Sequence, residues 1–193
     1  MPDYFVFLQG KGCVIECDKI FKSLNKLSSN TIIKKLQSSN TNDILEGIND
    51  IRLQGSPEHL PPLCLILRRS VQPDIKNAII KLLDELKDQK ATHQMIELIR
   101  SEKSVTVKRI LVASCWKSGL DYSALLEPFF EIFVQDDFET AFEAYTIIDS
   151  NIYNSEAGII KGCKHYLQNA WSNIPEDRLL LAQDLMMVMD SYM

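Results

Sequence analysis

The chain has 193 residues, of which 46% are hydrophobic and 24% are charged, and its formal net charge is −5. This composition is ordinary for a folded globular protein and excludes a disordered chain, which needs low hydrophobicity and high net charge. Seven Gly and seven Pro are few for the turns of an all-β fold, and no apolar run reaches the roughly 18 residues that a membrane-spanning helix needs.

The N-terminal segment, residues 1–27, does not follow the pattern of the remaining chain. Two apolar stretches, residues 4–8 and 13–17, flank a glycine-containing stretch at residues 9–12. Two interpretations remain open: a β-hairpin with a short loop, or a capping segment that covers the apolar end of the rest of the fold.

The sequence predicts a cytoplasmic protein. The N-terminus has neither the basic start nor the long apolar core of a secretory signal. The five cysteines are an odd number without a CxxC motif, which favours reduced thiols.

A helical pattern recurs through residues 28–193. Apolar residues follow Ile75 at offsets of 3, 4, 7, 8 and 11, which is the stripe of an amphipathic helix. Similar stripes open at Ile44, Val107 and Phe138, at intervals of 31 or 32 residues, and a looser copy lies near Arg178. We expect Asp74 to be the N-cap of the helix after it, and Phe138 and Phe142 to point inward.

A second apolar stripe precedes each of these helices, at residues 32–36, 60–67, 95–99, 125–133 and 159–167. Pro128 lies within one of them and is expected to kink it. The short polar links favour antiparallel neighbours. The unit is therefore a pair of helices, repeated four to five times in one domain of residues 28–193. Because one pair cannot bury its own apolar faces, the repeat predicts an all-α solenoid of stacked antiparallel pairs.

Three of these units resemble the HEAT-repeat family. Their second helices open with an apolar residue followed by charged or polar residues, at Ile75-Lys76-Asn77, Val107-Lys108-Arg109 and Phe138-Glu139-Thr140. Residues 114–122 and 140–144 are also similar to small bacterial HEAT-like proteins of unassigned function. The resemblance covers residues 28–192 and implies a right-handed, HEAT-like or ARM-like α–α superhelix whose second helices line a concave face. It implies no activity.

The sequence contains no constellation of residues for catalysis. His59, His93 and His165 lack metal-ligand spacing, and Gly10-Lys11-Gly12 lacks the rest of a phosphate-binding loop. Ser114 and Cys115 lie within a helical pattern without a nucleophile turn. We therefore expect no catalytic, cofactor-binding or metal-binding residues, and no enzyme.

Charge is distributed unevenly along the chain. Residues 118–193 hold three basic against thirteen acidic side chains, and residues 118–160 hold no basic one. Asp136, Asp137, Glu139 and Glu143 are expected to form one exposed negative patch. This patch is either a solvated surface or a site for a basic partner.

The leading hypothesis is a non-catalytic protein–protein interaction scaffold, either a monomer or a weak homo-oligomer, that binds another protein with a basic segment. Carrying over the HEAT concave face puts Lys76, Lys81, Lys108 and Arg109 in its middle and the acidic residues toward its C-terminal end. Trp116 and Tyr122 are either core residues or the anchors of an apolar groove.

Two other functions are kept as alternatives. The four basic residues are compatible with nucleic-acid binding, as in DNA-repair glycosylases built from HEAT-like repeats, although the acidic C-terminal half opposes it. A ligand-binding accessory protein similar to HEAT-like bilin lyases is the other alternative, which no particular residue supports.

Overall fold

The computed structural model describes residues 29–192, and these residues form helices and turns without any β-strand. The all-α prediction is thus confirmed for this part of the chain, whereas the prediction of a hairpin or cap at residues 1–27 lies outside it. The ten helices of the described part are α1 (residues 29–36), α2 (Thr41–Gln54), α3 (Leu60–Arg69), α4 (Pro73–Asp84), α5 (Ala91–Ser101), α6 (Val105–Ser118), α7 (Glu127–Gln135), α8 (Phe138–Asn151), α9 (Ala157–Asn169) and α10 (Leu179–Ser191).

The helices lie where the apolar stripes predict them. In α4 the buried side chains are Ile75, Ile79, Leu82 and Leu83, at the spacing that places them on one face of a helix. Helix α3 buries Leu60, Leu63, Cys64 and Leu67 in the same way. The buried apolar side chains form a single cluster that extends from Ile32 to Met189.

Side-chain caps fix the starts of three helices, each of which is the second helix of its pair. Asn40 accepts a hydrogen bond from the backbone N–H of Asn42 before α2, Ser104 does so from Val107 before α6, and Asp137 from Thr140 before α8. Such a cap satisfies an otherwise unpaired N–H and contributes about 1 kcal/mol to stability.

Two predictions about helix ends are wrong. Asp74 is not an N-cap, because α4 begins at Pro73 and Gln72 occupies the N-cap position. Pro128 does not kink a helix, because α7 begins at Glu127 and Pro128 lies in its first turn. The N–H that proline lacks has no partner in a first turn, so proline costs little there.

Neighbouring helices pack in a regular order. Within pairs, α3 contacts α4, α5 contacts α6, α7 contacts α8 and α9 contacts α10. Between pairs, α2 contacts α4, α4 contacts α6 and α6 contacts α8, while α3 contacts α5 and α7 contacts α9. Each of these contacts joins helices that are close in chain order, as expected for units that pack mainly against their neighbours.

Polar contacts between helix pairs recur at the period of the sequence repeat. Thr41 and Gln72 are hydrogen-bonded across a separation of 31 residues, Gln89 and Asp121 across 32, and Tyr122 and Asn151 across 29. The Ser155 hydroxyl donates to the carbonyl of Ser123, across 32 residues. Positions about one repeat apart are therefore in contact.

Arg178 attaches the last helix pair to α7. Its side chain is buried, and Nη1 donates to the carbonyl oxygens of Phe133 at 2.8 Å and Asp136 at 2.9 Å. These carbonyls belong to the end of α7, where backbone acceptors lack partners within the helix. The Asp177 carboxylate accepts a hydrogen bond from Arg178 Nε at 3.1 Å. The buried guanidinium therefore has protein hydrogen-bond acceptors in place of water.

Candidate interaction surface

The described residues contain no group of His, Cys, Asp or Glu side chains that is arranged to hold a metal ion. Cys64, Cys115 and Cys163 are free and buried. Burial raises the pKa of each of these thiols to about 12, so at neutral pH they are protonated and are poor nucleophiles.

Between residues 29 and 192, no helix has both the length and the apolar character that crossing a membrane requires.

Ser29 and His59 lie in an arrangement that superficially resembles a Ser–His catalytic pair. Ser29 Oγ is 3.1 Å from His59 Nε2. The backbone N–H of Ser56 donates to His59 Nδ1 at 3.0 Å, and the carbonyl oxygen of Ser56 lies 3.2 Å from the same nitrogen. The buried His59 side chain is thus part of the capped turn before α3.

The four predicted basic residues do not form one groove. Lys108 pairs with Asp136 at 2.5 Å, and Arg109 pairs with Asp137 at 2.9 Å and also with Glu139. Lys76 is half-buried and Lys81 is exposed. These two lysines lie five positions apart on α4, about 140° around the helix axis. These four residues therefore do not make one continuous positive surface.

The expectation that Asp136, Asp137, Glu139 and Glu143 form one exposed negative patch is wrong, because three of them are paired with cations. Asp136, Asp137 and Glu139 are all bound to Lys108 or Arg109 of the preceding helix pair. Asp137 also caps α8 and accepts a hydrogen bond from the hydroxyl of Thr140 at 2.7 Å. Three of the four carboxylates thus join α6 to the start of α8. Glu143 is the exception, since its partner is the neutral indole N–H of Trp116, at 2.6 Å.

Trp116 and Tyr122 have different environments, so they do not form one pair of anchors. Trp116 is 40% exposed beside α8. Tyr122 is completely buried, and its ring meets the edge of Phe129 at 5.4 Å between centroids. Tyr122 is consequently a core residue, and its proposed role as a surface anchor is wrong.

An aromatic stripe, exposed at Phe138 and Phe142 and partly buried at Tyr145, follows one side of α8. Phe138 is 43% exposed and Phe142 is 48% exposed, so the expectation that they point inward is wrong. The Phe138 and Phe142 rings stack at 6.3 Å, and those of Phe142 and Tyr145 at 6.2 Å. Helix α8 instead buries a face that contains Ala141 and Ala144. These small side chains permit close packing against α6 and α7, both of which contact α8.

A second exposed stripe lies on α10. Leu180 is 81% exposed and Met187 is 65% exposed. Leu180 lies four positions before Asp184 and Met187 three positions after it, so all three share one face of the helix. The hydroxyl of Tyr145 donates to Asp184 Oδ2 at 2.6 Å. This bond joins the two stripes into one surface, which we call the α8–α10 face: Phe138, Phe142, Tyr145, Leu180, Asp184 and Met187.

A separate groove of about 560 Å³ lies near the other end of the described chain. Its lining is mainly aliphatic and includes Leu36, Ile44, Leu65, Ile66 and Ile75. Arg69 is its single charged lining residue among those that the structure describes. The groove thus offers mainly apolar contact, together with the hydroxyls of Ser38, Ser39 and Ser70.

Comparisons with protein-family models, with curated proteins and with solved structures give no match to this chain.

Proposed function

We propose that the chain is a non-catalytic protein-interaction scaffold, built as a right-handed α-solenoid of HEAT-like helix pairs. Two observations support a solenoid. From α2 to α8, the second helix of each pair contacts the second helix of the next pair. Polar contacts recur at separations of 29 to 32 residues along the chain. In a stacked array each unit buries its apolar faces against its neighbours.

The α8–α10 face is the proposed binding surface. The observation that supports it is that Phe138 and Phe142 stack on the outside of α8 rather than in the core. Phe142 in turn stacks on Tyr145, which is partly buried and packs against the core. Aromatic side chains and Met are enriched in protein interfaces. A ring that is already held by its neighbours loses little conformational entropy on binding, so the stack is preorganised for a partner.

The pairing of Lys108 and Arg109 with carboxylates favours a protein partner over a nucleic acid. Nucleic-acid affinity derives largely from Lys and Arg side chains that neutralise phosphates. Here these two cations are already neutralised by Asp136, Asp137 and Glu139.

Affinity capture with a matched control variant tests the proposal. Wild-type protein, Phe138→Ala/Phe142→Ala and Leu53→Ala/Val105→Ala are immobilised and exposed to a lysate of the source cells. Leu53 and Val105 are also exposed apolar residues, but they lie in α2 and at the start of α6. Circular dichroism first verifies that all three proteins are folded.

The proposal predicts that quantitative mass spectrometry finds proteins that bind wild type and the control but are depleted at least about 10-fold by the α8 variant, which equals a loss of about 1.4 kcal/mol. Equal recovery on the α8 variant and on wild type would show that this face is not the binding surface.

A further inference from the structure

Three carboxylates border the α8–α10 face without a cation partner. Asp184 accepts its hydrogen bond from the Tyr145 hydroxyl, and Glu143 from the Trp116 indole. Asp149 is exposed, continues the α8 stripe four residues after Tyr145, and has no hydrogen bond or ion pair to the described residues. Other carboxylates nearby are neutralised, as Glu139 is by Arg109 and Asp190 by Lys164.

The helices themselves add no positive charge. Neither α8 nor α10 contains a single Lys or Arg. Burial, the hydrogen bond to Asp184 and the negative charges of Asp184 and Asp149 together raise the pKa of Tyr145 above its ordinary value. The Tyr145 side chain at the centre of the face is therefore hydrogen-bonded to one carboxylate, Asp184, and lies near a second, Asp149.

The spacing of the aromatic side chains on α8 matches that of a helix-binding surface. Phe138, Phe142 and Tyr145 cover two turns of α8, about 10 Å along its axis. An amphipathic helix that lies along such a stripe uses anchors at positions i, i+3 or i+4, and i+7, which cover the same length. Leu180 and Met187 supply the apolar contact on the α10 side.

Building on the proposed function, we infer that the partner of the α8–α10 face is a basic amphipathic helix of another protein. Its apolar side chains pack on Phe138, Phe142 and Met187, and its Lys or Arg side chains meet Glu143, Asp149 and Asp184. Charge complementarity selects this occupant: an acidic helix with the same apolar face would bring like charges together at three positions, which interfaces disfavour.

Two synthetic helices with identical Leu stripes test the inference on the full chain. One has Lys and the other Glu at the positions beside the stripe, and binding is measured by fluorescence anisotropy at about 20 and 150 mM salt. We expect the Lys helix to bind at least about 10-fold more tightly than the Glu helix at low salt, and less tightly when salt is raised.

Two variants show where the charge acts. Asp149→Asn/Asp184→Asn removes two negative charges from the face, and the amide oxygen at position 184 still accepts the Tyr145 hydrogen bond. Glu97→Gln/Glu176→Gln removes the same charge from exposed positions on α5 and in the turn before α10. We expect the first variant to weaken the Lys helix about 5-fold and to flatten its salt dependence, and the second to change binding less than 2-fold.

Equal affinity for the two helices, no binding of the Lys helix, or equal weakening by both variants would overturn the inferred partner class. The proposed function has its own outcome: if the Phe138→Ala/Phe142→Ala variant loses captured proteins while the Lys helix does not bind, the face binds proteins but not basic helices.

Discussion

The hydroxyl of Tyr145 on α8 donates a 2.6 Å hydrogen bond to Asp184 Oδ2 on α10, across 39 residues of sequence. The same Tyr145 ring stacks on Phe142 with an angle of 21° between the ring planes. One side chain thus couples the aromatic stripe of α8 to the exposed face of α10, so the geometry of the proposed binding surface depends on it.

Replacement of Tyr145 by Phe keeps the stacked ring but removes this hydrogen bond. We expect the free energy of unfolding to fall by about 1 to 2 kcal/mol, because the bond has a charged acceptor and lies at a partly buried site. Urea unfolding measures the change. Tyr153→Phe is the matched control: Tyr153 is exposed, and a change within about 0.5 kcal/mol is expected there. Equal effects of the two substitutions would mean that the Tyr145–Asp184 bond contributes nothing.

Arg178 is expected to stabilise the end of the helical array. Arg178→Ala leaves the carbonyls of Phe133 and Asp136 without their donor, and we expect a loss of about 2 to 3 kcal/mol by thermal or urea unfolding. Arg178→Lys restores one positively charged donor but cannot reach two carbonyls with the geometry of a guanidinium, so it should recover only part of the loss. Full recovery with Lys would indicate that charge alone, rather than the two-carbonyl contact, is required.

The buried carboxylate of Glu102 pairs with Arg68, and the contribution of this pair to the free energy of unfolding is expected to depend on pH. Burial opposes its ionisation, but hydrogen bonds from Arg68 at 2.7 Å and from the Ser104 N–H at 2.7 Å outweigh this and lower the pKa of Glu102 below its ordinary 4.5. Because the pKa of Glu102 is lower in the folded chain than in the unfolded chain, its ionised form stabilises the fold above pH 4.5. This stabilisation is lost as pH falls through the folded-state pKa.

We therefore expect Arg68→Ala to lower the free energy of unfolding at neutral pH, because it removes the charged partner of the Glu102 carboxylate. The difference from wild type should shrink in an acidic buffer well below pH 4.5, where Glu102 becomes protonated. Arg69→Ala is the control, since Arg69 is exposed and has no ion pair among the residues of the described part. Urea titrations at the two pH values measure both variants, and a pH-independent effect of Arg68→Ala would contradict the role assigned to the pair.

The buried thiol of Cys115 should make the protein less stable at high pH. Burial raises the pKa of Cys115 from 9.0 to about 12, so the unfolded chain ionises this thiol first. Because the pKa of Cys115 is higher in the folded chain than in the unfolded chain, its protonated thiol stabilises the fold below pH 9. This stabilisation is lost as pH rises toward 12. Between pH 8 and pH 10 this one group lowers the free energy of unfolding by about 1.4 kcal/mol.

Cys115→Ala removes that contribution. The variant is expected to be less stable than wild type at pH 8, because it leaves a small cavity beside a completely buried position. Its further loss between pH 8 and pH 10 should be smaller than that of wild type by about 1.4 kcal/mol. Equal slopes for the two proteins would show that Cys115 does not ionise on unfolding.

Most of the fold follows from local patterns in the sequence. Each apolar stripe, such as Ile75–Ile79–Leu82 on α4, has a helical period that identifies both the helix and its buried face. Helix ends were less predictable, because Asp74 and Pro128 are each compatible with several positions in a first turn.

The candidate surface could not be predicted in the same way. On α8 two apolar stripes compete, one with Phe138 and Phe142 and the other with Ala141 and Ala144, and hydrophobicity favours burial of the larger rings. The structure buries the alanines instead, because α8 packs closely against two other helices. Similarly, the charges of Lys108 and Arg109 are neutralised by residues 28 to 30 positions later, a pairing that depends on the register of packed helices.

The most direct test of the proposed function is photo-crosslinking from position 142. A benzoylphenylalanine replaces Phe142 in one protein and Leu53 in another, and each is irradiated in a lysate of the source cells. Both positions are exposed, but only position 142 lies on the α8–α10 face. We expect discrete protein adducts from position 142 that are absent from position 53. No adduct from position 142, or the same adducts from both positions, would contradict the proposed function.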